Sequence, residues 1–307
     1  MTDRNGSAIV LCYHRVAEKA DDPLSLCVHP DRFSAQVERL RGFADIVPLA
    51  EIQQRSRDRR LALTFDDAYA DTAECAAPIL EAADVPATVF VPTVALQPDH
   101  EFWWERLVHL VVDVVEPDRP ALEIELAGQP LRADVRSADG RLRTFRALNH
   151  RLLRLGPAAI EAALEVVAAQ LGGMVPRPCP QHRKFTAEQL GALSAHGRVE
   201  VGGHSRTHAL LTALDEDDQR EEIAGGRREL EALVSGGVTS FAYPYGYAES
   251  FDERTQAIVR EAGYARACTT IADRVARRTD SYRIPRYQIQ DWDGDGFATQ
   301  VQSWLAA

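Results

Sequence analysis

The chain lacks several things, and each absence removes a class of protein. No apolar run approaches the roughly 18–20 residues that would span a bilayer, so no membrane span is expected. The opening "MTDRNGSAIVLCYHRV" has one basic residue before an apolar run of only six, Ala8 to Tyr13. That is too short for a secretory h-region, and a cytoplasmic protein is the expectation. The five cysteines (Cys12, Cys27, Cys75, Cys179, Cys268) are odd in number, far apart and without a C-x-x-C pair. A disulfide framework and a thiolate zinc site are both disfavoured. Lys and Arg number 35 against 46 Asp and Glu, for a net charge of −11. With those cations scattered, there is no basic face to track phosphates, and nucleic acid is not an expected partner. Tandem repeats and long low-complexity tracts are absent too.

What is present is an ordinary soluble composition, 45% apolar and 26% charged over 307 residues. That length suits one large α/β barrel or two domains of common size. Short apolar runs at 7–13, 45–49, 61–65, 87–92, 199–203, 239–243, 265–270 and 282–289 read as strands. Amphipathic segments lie between many of them. "PDRFSAQVERLRGF" puts Phe33, Val37 and Leu40 on one face, "DEDDQREEIAGGRRELEAL" begins with acids suited to a helix N-terminus, and "DERTQAIVREAG" stops at a glycine. Repeated β-α alternation with about eight strands predicts a parallel sheet closing into a barrel. The rhythm breaks between 99 and 184, where "EFWWERLVHLVVDVV" leads to a hairpin pattern, "ALEIELAGQPLRADV", and then to long helical stretches. A block of this size reads as a mostly helical insertion, with Pro-rich "MVPRPCPQ" returning the chain. The expected organisation is a barrel of 1–98 and 185–307 interrupted by 99–184.

In "LALTFDDAYAD", Asp66 and Asp67 directly follow a five-residue apolar strand. Ionised carboxylates taken out of water need partners, and this strand end is the edge where barrel enzymes keep their active sites. In "GGHSRTHALL", His204 and His208 are four apart, and a helical turn there would face both the same way. Such a pair alone is weak, since nine histidines in 307 residues give one by chance about a quarter of the time. One carboxylate and two imidazoles nevertheless make a three-ligand site with room for water, suited to zinc or a similar divalent ion. Asp67, His204 and His208 would supply it, leaving Asp66 free as a base. A divalent ion brings the pKa of bound water down to about 7 and polarises a carbonyl, so hydrolysis of an amide or ester is the chemistry expected.

These residues resemble the motifs of the NodB-homology polysaccharide deacetylases, carbohydrate esterase family 4. That family's T-F-D-D-G stands here as Thr64, Phe65, Asp66, Asp67 and Ala68, and its H-[ST]-x-x-H as His204, Ser205, Arg206, Thr207 and His208. Its R-x-P-Y-G is partly matched by Ala242, Tyr243, Pro244, Tyr245 and Gly246. The resemblance implies a distorted (β/α) barrel, Asp66 as catalytic base, Asp67, His204 and His208 as ligands of Zn2+ (or Co2+ or Ni2+), and the Tyr245 N–H as an oxyanion donor. An acetylated carbohydrate is the substrate so implied.

The chain departs from the family at three places. Ala68 replaces a glycine, Ala242 stands where an arginine often orients the catalytic aspartate, and no histidine follows residue 208 to act as general acid. "LCYHRV" puts His14 at the end of the first strand, similar to the N-terminal Y-H motif of the poly-N-acetylglucosamine deacetylase branch. His14 is therefore assigned the general-acid role, against the alternative of a histidine that only hydrogen-bonds at a strand end. Arg286 in "RIPRYQIQDW" is a candidate for the missing arginine, or a surface residue. Tyr243 and Tyr247 fit either packing or the acetyl pocket. Trp103, Trp104 and Trp292 fit either sugar stacking or a core stripe. The expected activity is N-deacetylation of an N-acetylhexosamine unit. An O-acetyl esterase, a non-sugar amide hydrolase, and a sugar-binding protein without turnover remain as alternatives.

Overall fold

The structure is a computed structural model that describes residues 7–18, 22–113, 121–172, 182–195 and 197–306. Cys179 and the whole Pro-rich return, 174–181, lie outside the described residues; the other four cysteines are free thiols. Two compact units divide the chain: Met1–Pro98 with Lys184–Ala307, and Asp99–Arg183. The strands are β1 (Ala8–Tyr13), β2 (Arg15–Val16), β3 (Cys27–Val28), β4 (Asp45–Ile46), β5 (Arg60–Phe65), β6 (Ala87–Val91), β7 (Ala121–Leu126), β8 (Gln129–Asp134), β9 (Val199–Gly203), β10 (Ser240–Ala242), β11 (Arg266–Cys268) and β12 (Tyr287–Gln288). The helices are α1 (Pro30–Arg41), α2 (Ala77–Ala82), α3 (Trp103–Val108), α4 (Ala138–Leu152), α5 (Pro157–Leu171), α6 (Ala187–Ala195), α7 (Glu216–Arg220), α8 (Gly226–Glu231), α9 (Glu253–Glu261) and α10 (Gly294–Ala306).

In the first unit eight strands pair in parallel, in the order β11-β10-β9-β6-β5-β1-β12, with β4 also on β5. β1 and β5 are buried at all six positions, as expected of strands covered on both faces. They run in register, Cys12 beside Thr64 and Tyr13 beside Phe65. Pairing of β5 with β6 begins only at Leu63, and β4 occupies the space beside Arg60 and Leu61. The sheet then curls round. Ile284 donates to Ala267 O (2.9 Å) and accepts from Thr269 N–H (2.8 Å), while Ile289 N–H donates to Cys12 O (2.9 Å). One stretch of chain thus joins β11 to β1, and the result is a distorted (β/α) barrel with a mostly helical insertion.

Several strands are shorter than their apolar runs, β4 and β12 most of all. β4 and β12 keep two residues each, and Pro48 and Pro285, which have no N–H to give, fall inside the longer runs. The helices follow their sequence signals more closely. α1 starts with Pro30 at its first position and buries Phe33, Gln36, Val37 and Leu40. Gln36 accepts from Tyr13 Oη (3.0 Å) and donates to Trp292 O (2.9 Å), which ties α1 to β1 and to the chain after β12. α9 is capped by Asp252, which accepts from Thr255 N–H at 2.8 Å, and ends before Gly263 at φ 88°.

In the second unit, β7 and β8 form an antiparallel hairpin. Its turn residues Ala127 and Gly128 both have positive φ, 50° and 75°, the twist two-residue hairpins favour. β7 alternates Leu122, Ile124 and Leu126 inward. α4 and α5 add a buried face that includes Phe145, Leu148, Leu152, Leu164, Val167 and Leu171. Among the described residues no helix is long and apolar enough to cross a membrane.

Candidate active site

At the C-terminal edge of the barrel sheet, the backbone leaves three strands through left-handed conformations. Asp67 (φ 72°) and Ala68 (φ 55°) follow β5, Ser205 (φ 63°) and His208 (φ 58°) follow β9, and Tyr245 (φ 63°) follows β10. Non-glycine residues in this region cost about 1–2 kcal/mol each, and such strain gathers where side chains must be aimed. Ala68 holds a backbone shape that the glycine of the motif it resembles would adopt without cost. Its loop is secured from outside. Arg15 donates two hydrogen bonds to Asp71 (2.9 and 2.8 Å), Asp71 also accepts from Val16 N–H (3.0 Å), and Phe185 N–H donates to Ala68 O (2.8 Å).

His204 and His208 do come together, with ring centroids 4.7 Å apart, but not on a helical turn. Residues 204–208 form a bent loop closed by His208 N–H donating to Ser205 Oγ (3.0 Å). The i, i+4 spacing works here because two left-handed residues fold the loop back. Glycines just before it let the strand sit close. A Cβ on Gly202 would lie 2.5 Å from Phe90, and one on Gly203 2.2 Å from Tyr264 Oη.

Asp67 Oδ1 lies 3.6 Å from His204 Nε2 and 3.3 Å from His208 Nε2. Ligands about 2.0–2.2 Å from a tetrahedral ion are separated by edges of about 3.3–3.6 Å. Asp67 Oδ1 is buried and makes no hydrogen bond, an arrangement that is costly unless a cation satisfies it. His204 Nδ1 faces Ala242 O at 2.7 Å; donating there leaves the Nε2 lone pair toward Asp67. Burial pushes the His204 pKa down to about 4, the neighbouring carboxylates only partly opposing it, so the ring is the neutral donor a metal needs. Burial raises the Asp67 carboxyl, but the three histidines, His208 first, hold it below the usual carboxylate range. The donor set fits a divalent ion.

Asp66 is held differently. Arg286, wholly buried, grips it with two hydrogen bonds, Nη1 to Oδ1 at 2.7 Å and Nη2 to Oδ2 at 2.8 Å. The same guanidinium donates to Thr269 O (2.9 Å) and Thr64 Oγ1 (3.1 Å). Against the upward push of burial, Arg286, then His204 and His14, bring the Asp66 pKa below its ordinary value. Asp66 Oδ2 is 4.0 Å from His204 Nε2. Half-buried His14 places a ring nitrogen within 4.8 Å of both Cys12 Sγ and an Asp66 oxygen. Arg286 is thus no surface residue, and with no exposed area it orients Asp66 rather than binding substrate.

Of the two roles open to Tyr243, packing and the acetyl pocket, the structure gives it packing. It is fully buried, its ring stacked 4.3 Å from Phe251 and its hydroxyl donating to Tyr282 O at 3.0 Å. Tyr245 stays at the site, its ring edge-on to His208 at 4.8 Å. Gly246 next to it has φ 69°, and a Cβ there would lie 2.6 Å from Thr270 N. Gly246→Ala is expected to cost at least about 1–3 kcal/mol and to displace Tyr245; thermal melts and turnover measured together check this. Trp104 is buried against Phe102 at 4.3 Å, and Trp292 packs on Trp304 at 6.1 Å, both in aromatic clusters. Sequence reasoning missed Cys12, whose thiol donates to Asp66 Oδ2 at 3.5 Å. Its position opposite Thr64, two residues before Asp66, carried the signal once β1 and β5 were paired.

A family model described as polysaccharide deacetylase matches residues 53–111 and 160–267, just over half of the chain. YxkH of Bacillus subtilis (strain 168), whose name places it among polysaccharide deacetylases, is 22% identical over 131 residues, 42% of this chain and 46% of YxkH. The match therefore spans under half of that relative. Among solved structures, Streptococcus pyogenes deacetylase PplD in complex with acetate aligns with TM-score 0.63 at 15% identity, covering 98% of this chain and 99% of PplD. IcaB from Ammonifex degensii aligns with TM-score 0.60 at 19% identity, covering 99% of each chain. At these identities the structures speak for the fold.

Proposed function

The chain belongs to the polysaccharide deacetylase family, and from that premise we propose that it is a metal-dependent carbohydrate N-deacetylase. Its substrate is the acetamide of an N-acetylhexosamine unit in a glycan or glycoconjugate. One observation carries the reading: a carboxylate locked by a buried guanidinium, Asp66 on Arg286, stands beside a second carboxylate that shares its space with two imidazoles. A protein that only bound sugar would gain nothing from that buried ion pair, because desolvating both charges consumes most of their attraction. The reaction is assigned to the barrel of 1–98 and 185–307, which contains all these residues.

Asp67, His204 and His208 would hold the ion, with Zn2+ the best match to the donor set and Co2+ or Ni2+ as substitutes. When bound, it lowers the pKa of water to about 7 and polarises the acetyl carbonyl. The chain's own groups do the rest. Asp66, kept deprotonated by Arg286, takes the proton of the attacking water. The Tyr245 backbone N–H donates to the acetyl oxygen as negative charge develops there. His14, next to Asp66 and partly open to solvent, gives a proton to the nitrogen as the C–N bond breaks. Acetate and a free amine leave.

Acetate release from N-acetylglucosamine oligomers, measured beside O-acetylated sugars, tests the proposal. Release from the N-acetylated set should disappear when a chelator strips the metal and return with Zn2+, Co2+ or Ni2+. Metal-loaded protein that frees acetate only from esters would make it an O-acetyl esterase. Release from neither set would remove the reading.

A further inference from the structure

The second unit contains a cluster that the proposed reaction does not use. Glu101 is the third residue of this unit, His109 directly follows α3, and His182 is next to the unit's last residue. One ligand atom from each lies within 4.8 Å of the others. Glu101 Oε1 is 3.5 Å from His109 Nε2 and 3.3 Å from His182 Nδ1. Those are the tetrahedral edge lengths met at Asp67, His204 and His208, about 3.3–3.6 Å for ligands near 2.0–2.2 Å from an ion. The Glu101 and His182 side chains are 5% and 4% exposed, and the His109 residue 8%.

His109 decides between a proton and a cation. Its Nδ1 sits 2.9 Å from Asp113 Oδ2. A proton donated there leaves Nε2 with its lone pair facing the Glu101 oxygen, the carboxylate–histidine arrangement that supports metal-bound imidazole. Two acceptors turned toward each other in a buried place repel unless something positive lies between. If that were a second proton on the ring, Nε2 would have to donate to Glu101. With no cation between them, the carboxylates of Asp113 and Glu101 favour that proton and raise the His109 pKa to about 10; the geometry favours the ion, because 3.5 Å is beyond the usual N–H···O range and buried Nε2 reaches no acceptor with hydrogen-bond geometry.

We propose that Glu101, His109 and His182 form a second divalent-cation site, zinc by its donor set, which pins the two ends of the 99–183 unit to each other. A cross-link between residues so far apart in sequence restricts the unfolded chain most when the loop it closes is long, and here the loop runs from 101 to 182. The site is structural in placement, and it is independent of the catalytic reading.

Metal content of the full chain, without a histidine tag, separates the two sites. After equilibration with zinc and desalting, the wild type should retain two ions per chain, His208→Gln one, Glu101→Gln one, and the double variant none. A Glu101→Gln variant that retains as much zinc as the wild type overturns the second site. If Glu101→Gln removes an ion and His208→Gln does not, the second site stands and the catalytic assignment falls. Should Glu101→Gln not fold, Co2+ added to His208→Gln reads the same site by its visible absorption; a spectrum without tetrahedral bands overturns the proposal. Removing the last ion from His208→Gln should speed hydrogen exchange at 101–113 at least tenfold, and unchanged exchange would refute the pinning role.

Discussion

Asp66→Asn is expected to lower kcat by about 10²–10⁴-fold while the protein still binds its metal and KM changes little. The amide keeps the shape of the carboxylate but cannot take a proton from water. Asp67, His204 and His208 are untouched by the change, so metal content separates a lost base from a lost site. Stability should also fall, because Arg286 would face a neutral partner with no access to water; an uncompensated buried charge costs about 3–5 kcal/mol. Activity should therefore be compared well below the variant's melting temperature. Turnover within tenfold of the wild type would mean that Asp66 is not the base. Acid sensitivity follows with a definite sign. The Asp66 pKa is lowered by folding, so its contribution to stability is complete above the unfolded carboxylate value of about 3.9. It is lost as pH falls through the lower folded value. In the asparagine variant that part of the acid transition should vanish.

Arg286→Met should have the next largest effect. The guanidinium makes four hydrogen bonds inside the barrel, two of them to Asp66, and methionine fills much of the volume with none. Leaving the carboxylate charged and alone should cost about 3–5 kcal/mol. The protein can avoid part of that cost by protonating Asp66. With its largest favourable charge removed, burial governs and the Asp66 pKa rises, so the acid limb of kcat/KM should move to higher pH. Arg286→Lys restores a positive charge but not the paired geometry, and its limb should fall between the two. An acid limb left in place in the methionine variant would show that Arg286 does not set the state of Asp66. The same residue in a merely structural role would lower the melting temperature without moving that limb.

Several parts of this protein were legible along the chain. β1 and β5 are runs of apolar residues because both faces are covered, and the adjacent acids stand out against them. α1 and α9 carry their own start and stop signals. The candidate ligands were found as residue types in motifs, yet the local shape around His204 was misjudged, because a four-residue spacing does not distinguish a helical turn from a loop folded by two left-handed residues. Tyr243 stayed open between packing and the acetyl pocket for a related reason. In a short strand buried on both sides, alternation does not reveal which face meets the site. Cys12 carried no signal until the register placed it across from Thr64.

The sequence by itself determined the class of fold, the break in the β-α rhythm after residue 98, and the kinds of donor available, since these depend on local periodicity and on side-chain chemistry. Tertiary structure alone decided how the donors are used. Ala242 offers no guanidinium from β10, and the barrel supplies one from Arg286, 220 residues from Asp66 along the chain and 2.7 Å away in space. That distance is created when the stretch from Ile284 to Ile289 hydrogen-bonds to β11 and β1. A charge acts through its position in space, and position is a property of the closed sheet rather than of the order of residues.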